Sequence, residues 1–161
     1  LGYPGGPPIE SEAARGSRTR FEFPRSMKCS GDFNFSFSGL KTSVRYLLPK
    51  TSEGDRADLC AGFQEAVVDV LVHKAVQAAK ECRRKFIAVS GGVGLNMRLR
   101  ERLALAAESQ GVAVLFAPNA LCTDNAAMIA YVAALRAARG ESSSLEADIF
   151  PSLGTRLFAA A

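Results

Sequence analysis

The most regular pattern of apolar positions covers residues 55–84. Leu59, Phe63, Ala66 and Val70 recur there at three- and four-residue spacing, and the segment contains no proline. This spacing places the apolar side chains on one face of a helix, because an α-helix repeats about every 3.6 residues. The pattern therefore predicts one long core helix.

Two short apolar runs further along the chain predict buried strands. They cover residues 86–89 and 112–116, and helical patterns follow them at residues 96–110 and 124–139. Strands that alternate with helices predict an α/β layer with parallel strands. Ligands bind at the carboxyl ends of such strands. We therefore expect the glycine-rich turn after the first strand to share one edge of the sheet with Asp124.

The pattern is weaker in the N-terminal part of the chain. The first thirty residues are rich in Gly, Pro, Ser and Arg, which predicts loops with at most a short helix over residues 9–14. Residues 32–38 alternate polar and aromatic side chains, which is typical of a half-buried strand. Gly39 interrupts this pattern, and residues 40–48 have helical character that ends at Pro49.

The composition is that of a globular chain. With 161 residues, of which 48% are hydrophobic and 22% charged, the sequence can bury the core of one ordinary domain. Its apolar runs are too short to span a membrane. The net charge of +4 suits an anionic partner without requiring one. Four scattered cysteines favour a reducing cytoplasm, and the missing start Met and signal peptide predict a piece of a longer protein.

A glycine-rich turn separates the first predicted strand from the next helix. It consists of Ser90-Gly91-Gly92-Val93-Gly94-Leu95-Asn96. Small residues at this place let backbone N–H groups approach a phosphate, and the dipole of the following helix favours negative charge. The same residues also suit a tight turn without a ligand, because the motif is neither GxGxxG nor a P-loop. The local pattern leaves both interpretations open.

Asp124 lies directly before the last predicted helix. Its carboxylate can cap that helix by accepting a backbone N–H, or it can ligate a metal, since oxygen ligands suit hard and borderline cations. A metal would need other ligands from elsewhere. The single histidine, His73, lies inside the long helix without a second histidine four residues away, and we expect it to be a helix-face or core residue.

A basic stretch with interleaved aromatic residues precedes the predicted strand: Arg15, Arg18, Arg20, Phe21, Phe23, Arg25 and Lys28. Such a composition can follow a phosphate backbone and stack on bases, but a solvated loop has the same composition. Arg98, Arg100 and Arg102 alternate along a predicted helix and cannot share one face, so we expect them to contribute solubility only.

Four motifs follow one another within residues 1–139. They are Tyr3-Pro4-Gly5-Gly6-Pro7, then Phe35-Ser36-Phe37-Ser38-Gly39-Leu40-Lys41-Thr42, then Ser90-Gly91-Gly92-Val93 with Asn96 and Leu99-Arg100, and finally Cys122-Thr123-Asp124-Asn125-Ala126-Ala127-Met128-Ile129-Ala130. With these motifs the chain resembles the C-terminal half of the TsaD (Gcp) family of tRNA adenosine threonylcarbamoyltransferases, formerly filed as O-sialoglycoprotein endopeptidases. We assign residues 1–140 to this family-like part and residues 141–161 to a tail of uncertain structure.

The resemblance implies an actin-like ATPase (ASKHA, ribonuclease H-like) fold and an acyltransferase that modifies tRNA in the cytoplasm. The family transfers a threonylcarbamoyl group from threonylcarbamoyl-adenylate to the N6 amine of the adenosine beside the anticodon, in tRNAs that read codons beginning with A. The implied partners are tRNA, a paralogous actin-like subunit and an ATPase subunit.

The resemblance also implies which residues bind the adenylate. The PGGP motif contributes Gly6 and, four residues further on, Glu10, whose carboxylate would accept the ribose hydroxyls. The glycine-rich motif contributes Gly91, Gly92 and Asn96 as further nucleotide contacts.

Asp124 would be a ligand of one divalent metal ion, Fe2+ or else Zn2+. The other ligands of the family are two histidines of an HxxxH motif in its N-terminal half, and this sequence contains no such motif. We therefore expect an incomplete metal site, an isolated chain without turnover, and weak binding of adenylate. Gly94-Leu95 also replaces a pair of small residues of the family motif.

Two alternatives remain beside the transferase. The first is a non-catalytic actin-like scaffold subunit of the same complex, although such a subunit would not need the PGGP and CTDNAA motifs. The second is a metalloendopeptidase, which the absence of a complete protease nucleophile or metal set disfavours.

Overall fold

The structure is a computed structural model that describes residues 1–148. The chain divides into two units, Leu1–Thr123 and Asp124–Ala161. The elements of the first unit are α1 (Gly6–Ala13), α2 (Ser38–Leu47), α3 (Arg56–Glu81), β1 (Phe86–Val89), α4 (Met97–Glu108) and β2 (Ala113–Phe116). The second unit contains α5 (Ala126–Ala138). The described part of the chain has no helix long and apolar enough to cross a membrane.

Helix α3 is the central element of the first unit, as its apolar spacing predicts. It begins after a capping box, in which Ser52 and Asp55 exchange hydrogen bonds. Two different helices, α1 and α4, pack against α3 and cover its apolar side chains. Val68 and Val72 are buried towards α4, and Cys60 and Ala61 are buried beside α1.

Strands β1 and β2 form a parallel pair, which confirms the predicted α/β arrangement. Phe86 lies opposite Ala113 and Val89 lies opposite Phe116. Helix α4 connects the two strands. One face of the sheet packs against a cluster formed by α3 and α4, while the other face leaves Phe86 59% exposed.

The segment between α1 and α2 follows the surface of α3 closely. Phe23 is 4% exposed and packs with Leu40, Leu59 and Ala66. Gly62 permits this approach, because a Cβ atom there would lie 2.5 Å from the carbonyl oxygen of Phe21. Phe23 therefore anchors this segment to the core, although most of the other residues of the segment are exposed.

The predicted strand over residues 32–38 is wrong. Residues 32–37 form bends and irregular backbone, and α2 begins at Ser38. The Asp32 side chain accepts hydrogen bonds from Ser30, Asn34 and the buried Lys74, and these bonds fold the backbone back on itself. Such local side-chain bonds compete with strand pairing.

Candidate functional site

A cavity of about 450 Å³ lies in the first unit between α1, α3 and the glycine-rich turn. Its lining residues are Pro4, Gly6, Pro7, Ile9, Glu10, Phe63, Gln64, Val67, Val68, Leu71, Gly92, Val93, Leu95, Asn96, Leu99 and Thr123. Most of these side chains are apolar, and a few polar groups stand among them. Small-molecule sites in proteins have this composition.

The glycine-rich turn brings its backbone to the cavity. Gly91 has a φ of +88°, a conformation that side chains with a Cβ rarely adopt. A short 3-10 turn, Gly92–Leu95, follows, and the buried Gly94 donates its N–H to the carbonyl of Gly91 at 2.9 Å. The positive φ explains why glycine is required at position 91.

Asn96 joins the turn to α4 and to α3. Its Oδ1 accepts the N–H of Leu99 at 2.9 Å, which makes Asn96 the N-cap of α4, a position that asparagine favours. Its Nδ2 donates to Oε1 of Gln64 at 2.8 Å. Both ends of the amide are therefore engaged, and the orientation of Asn96 beside the cavity is fixed.

Glu10 reaches from α1 to the start of α4. Its Oε1 accepts the N–H of Met97 at 2.6 Å. The carboxylate thus lies at the N-terminus of a helix, where the dipole favours negative charge. Glu10 and Asn96 already accept backbone N–H groups at the start of α4. A phosphate in the cavity would therefore contact the backbone N–H groups of the turn at Gly92 and Val93.

The structure brings together four of the five predicted adenylate contacts. Gly6, Glu10, Gly92 and Asn96 line the same cavity although they span about ninety residues of sequence. Gly91 precedes Gly92 in the turn and is exposed, outside the lining. This convergence is a property of the fold, and the roles of the residues stay predictions.

Arg100 holds the glycine-rich turn against the end of β2. Its Nε donates to the carbonyl of Gly94 at 2.6 Å, and its Nη2 donates to the carbonyl of Ala117 at 3.1 Å. The guanidinium also lies over the ring of Phe116, 4.9 Å from its centroid. The expectation of solubility charge is wrong for Arg100, which positions the turn.

Arg98 and Arg102 form an ionic cluster with Glu65 and Asp69 of α3. Arg98 donates to both oxygens of Glu65, and Arg102 contacts Glu65 and Asp69. Burial raises the pKa of Glu65, but the hydrogen bond from Arg98 and the two guanidinium charges hold this pKa below its ordinary value. These arginines join α4 to α3, so the expectation of solubility charge is wrong for them too.

The basic stretch before α2 is also bound to the protein surface. Arg20 pairs with Asp55 and Asp58, and Arg25 pairs with Asp69. The aromatic residues interleaved with them pack inward, with Phe23 in a core cluster and Phe21 against it. Phe23 is buried and Phe21 is only partly exposed, so the structure does not support an RNA surface in residues 15–28.

His73 lies on the exposed side of α3, in agreement with the sequence. It lines a groove of about 560 Å³ together with charged residues such as Lys28, Asp69, Lys80 and Arg102. This groove is larger than the cavity at the glycine-rich turn but contains none of the four motifs. We assign the candidate site to the cavity because the motif residues converge there.

Asp124 belongs to the second unit and is exposed. The N-cap of α5 is its neighbour Asn125, whose Oδ1 accepts the N–H of Met128 at 3.0 Å. The capping interpretation of Asp124 is therefore wrong. Within residues 1–148, no three His, Cys, Asp or Glu side chains converge to hold a metal ion. A metal at Asp124 would need ligands that these residues do not supply.

Comparison of the sequence with known proteins identifies a protein family that it matches. The family model described as TsaD, tRNA N6-adenosine threonylcarbamoyltransferase, matches residues 1–131. All four motifs lie within this range.

Individual relatives agree with the family model. The tRNA N6-adenosine threonylcarbamoyltransferase of Thiobacillus denitrificans is 51% identical over 138 residues, which cover 86% of this chain and 40% of the relative. The proteins of the same name from Bdellovibrio bacteriovorus and Kosmotoga olearia are 48% and 47% identical and cover 94% and 95% of this chain. The chain spans less than half the length of each of these relatives.

Proposed function

Since this chain belongs to the TsaD family of tRNA N6-adenosine threonylcarbamoyltransferases, we propose that its cavity binds the adenylate part of threonylcarbamoyl-adenylate. The observation that carries this proposal is the convergence of Gly6, Glu10, Gly92 and Asn96 on one cavity. The wider activity of the longer protein is transfer of the threonylcarbamoyl group to tRNA, in an actin-like fold.

The lining of the cavity matches the chemistry of an adenylate. The apolar walls formed by Phe63, Val67 and Leu71 suit the faces of a purine. One carboxylate oxygen of Glu10 is bound to Met97, and the second can accept a ribose hydroxyl. The turn at Gly92 offers backbone N–H groups to the phosphate.

In the transfer step, the N6 amine of adenosine attacks the carbamoyl carbon of the adenylate. The bond between this carbon and the phosphate oxygen breaks, the amine loses a proton, and AMP leaves. Residues of this chain contribute by holding the adenylate in one orientation. The translational and rotational entropy of the adenylate is then lost on binding and does not add to the barrier of the chemical step. Glu10 and Asn96 are fixed by hydrogen bonds before any ligand enters, and such preorganisation favours catalysis.

We infer that Asp124 contributes one carboxylate ligand to a divalent metal ion, Fe2+ or Zn2+, of the longer protein. When bound, such an ion acts as a Lewis acid towards carbonyl or phosphate oxygens. The described residues do not form a complete site, so the proposed reaction steps of this chain concern the adenylate only. The tRNA, a paralogous actin-like subunit and an ATPase subunit are the proposed partners, in the cytoplasm.

Binding of AMP tests the site directly. In amide NMR spectra of this chain titrated with AMP, we expect weak binding that shifts the signals of Gly6, Gly92 and Val93. Glu10→Ala should abolish these shifts, because it removes the acceptor for the ribose. Glu12→Ala, on the same helix but paired with Arg15 on the surface, is the matched control and should bind AMP like the parent.

Two results would contradict the proposed site. One is AMP-induced shifts confined to the groove around His73. The other is equal AMP affinity of the parent and Glu10→Ala, with thermal unfolding confirming that both are folded. Submicromolar affinity of the isolated chain would contradict the expectation that binding is weak.

A further inference from the structure

Exposed aromatic side chains are concentrated in residues 33–50. Phe33 is 43% exposed, Phe35 48%, Phe37 36% and Tyr46 70%. The rings of Phe35 and Phe37 lie nearly parallel, with an interplanar angle of 16° and centroids 6.4 Å apart. Phe33, Phe35 and Phe37 are the aromatic residues that the expected strand over residues 32–38 would have half-buried, and the irregular backbone presents them to solvent.

Cations accompany the aromatic side chains, and acids are absent. Residues 33–50 contain Lys41, Arg45 and Lys50 but no Asp or Glu. Across the described part of the chain, none of these three cations forms an ion pair. The arginines of the preceding segment differ, since Arg20 and Arg25 are each paired with a carboxylate. Residues 33–50 therefore combine exposed aromatic side chains with positive charge that no carboxylate of the same segment neutralises.

Helix α2 carries the C-terminal part of this segment. Leu40 is buried, and Val44 and Leu47 pack against the same core cluster. Phe37, Lys41 and Arg45 follow one another at four-residue intervals and are exposed, so they lie along one side of the helix. We name residues 33–50 the aromatic–basic strip.

We propose that the aromatic–basic strip binds single-stranded RNA. Aromatic rings on which bases stack, together with cations that follow the backbone, are the common features of proteins that bind single strands. The identity of the RNA rests on the proposed function, which makes it the anticodon loop of a tRNA. A protein partner fits less well, because two of the three cations in the strip are lysines, which are depleted in protein interfaces although aromatic residues and arginine are enriched there.

Binding of an anticodon stem-loop RNA to the full 161-residue chain tests the proposal. The RNA carries a fluorescent label, and fluorescence anisotropy gives its affinity at several salt concentrations without nucleotide present. The paired variants are Phe35→Leu with Phe37→Leu, which keep an apolar surface without rings, and Lys41→Gln with Arg45→Gln, which remove charge. The matched control is Arg84→Gln with Lys85→Gln, two exposed cations outside the strip.

The expected results differ between the variants. The leucine pair should weaken binding at least about fivefold, because base stacking on aromatic residues is lost. The glutamine pair in the strip should weaken binding and lower the slope of log affinity against log salt by about 1.4, since each phosphate contact with a single strand contributes about 0.7. The control pair should bind nearly like the parent.

Several results would overturn the proposal. Equal losses in the strip pair and the control pair would show that only net charge matters. Unchanged affinity in the leucine pair would show that bases do not stack on these rings. If the parent chain binds no stem-loop RNA, the proposal that the aromatic–basic strip binds RNA is also wrong. Because the AMP titration reports on the cavity alone, each of these failures is distinct from a failure of the proposed function.

Discussion

At the scale of single residues, Gly62 shows how the environment reverses an intrinsic preference. In an exposed helix interior, replacing glycine with alanine stabilises by about 1 kcal/mol. At position 62 the new Cβ would lie 2.5 Å from the Phe21 carbonyl oxygen and 3.2 Å from the Phe23 ring. We expect Gly62→Ala to lower the free energy of unfolding by about 1–3 kcal/mol, because the close contact forces the segment away from α3.

Urea unfolding of the variant measures this change. Gly54→Ala is the control, since its Cβ would meet its nearest neighbour, Ser52 Oγ, at an ordinary 3.6 Å. A Gly62→Ala protein as stable as its parent would show that the segment does not press against the helix.

At the scale of elements, the contact between α3 and α4 depends on charge. Glu65 is 8% exposed and is bound by Arg98 and Arg102. We expect Glu65→Gln to destabilise the protein by about 1–3 kcal/mol, because Arg98 and Arg102 lose their shared carboxylate but keep the carboxylates of Glu101 and Asp69. Glu101→Gln, which removes an exposed partner of Arg98, is the control and should cost less than about 1 kcal/mol.

The same cluster predicts a pH dependence of stability. Burial raises the pKa of Asp69, but the hydrogen bond from Arg25 and neighbouring cations hold it below 3.8, and the pKa of Glu65 is likewise held below 4.5. A carboxyl with a lowered folded pKa stabilises above its unfolded pKa and loses this contribution as pH falls through the folded value. Stability should therefore decline below about pH 4.5, with a smaller decline in Glu65→Gln. Equal pH slopes of the two proteins in urea unfolding would contradict this origin.

At the scale of the whole molecule, the proposed metal site depends on residues that this chain does not contain. We expect a fusion of this chain to the remaining sequence of the Thiobacillus denitrificans relative to hold one divalent metal ion. Asp124→Asn in that fusion should lose the metal and the threonylcarbamoylation of tRNA, because it removes a charged ligand. Its melting temperature should hardly change, since Asn125 and not Asp124 caps α5.

Elemental analysis and a tRNA modification assay measure the two effects. Glu146→Gln removes another exposed carboxylate of the second unit and should leave both unchanged. An Asp124→Asn fusion that keeps its metal and modifies tRNA at the parental rate would refute the assignment of Asp124.

The sequence by itself determined the elements whose signals are local. The long helix, both strands and the helix predicted over residues 96–110 all agree with the structure, because the apolar period that marks them acts within a few neighbouring residues. The motif residues of the cavity were also identifiable from the sequence, since Gly6, Gly92 and Asn96 belong to two of the recognised motifs and Glu10 follows the first of them.

Only the tertiary structure decided which distant groups meet. The alternation in residues 32–38 predicts a strand, but the hydrogen bonds of Asp32, including one from a lysine 42 residues away, favour an irregular backbone. The arginines look alike in the sequence, yet Arg98 and Arg102 pair with α3 while Arg100 binds carbonyls at Gly94 and Ala117. Charge and aromatic composition show what a side chain can bind, whereas its partner depends on which surfaces the fold brings together.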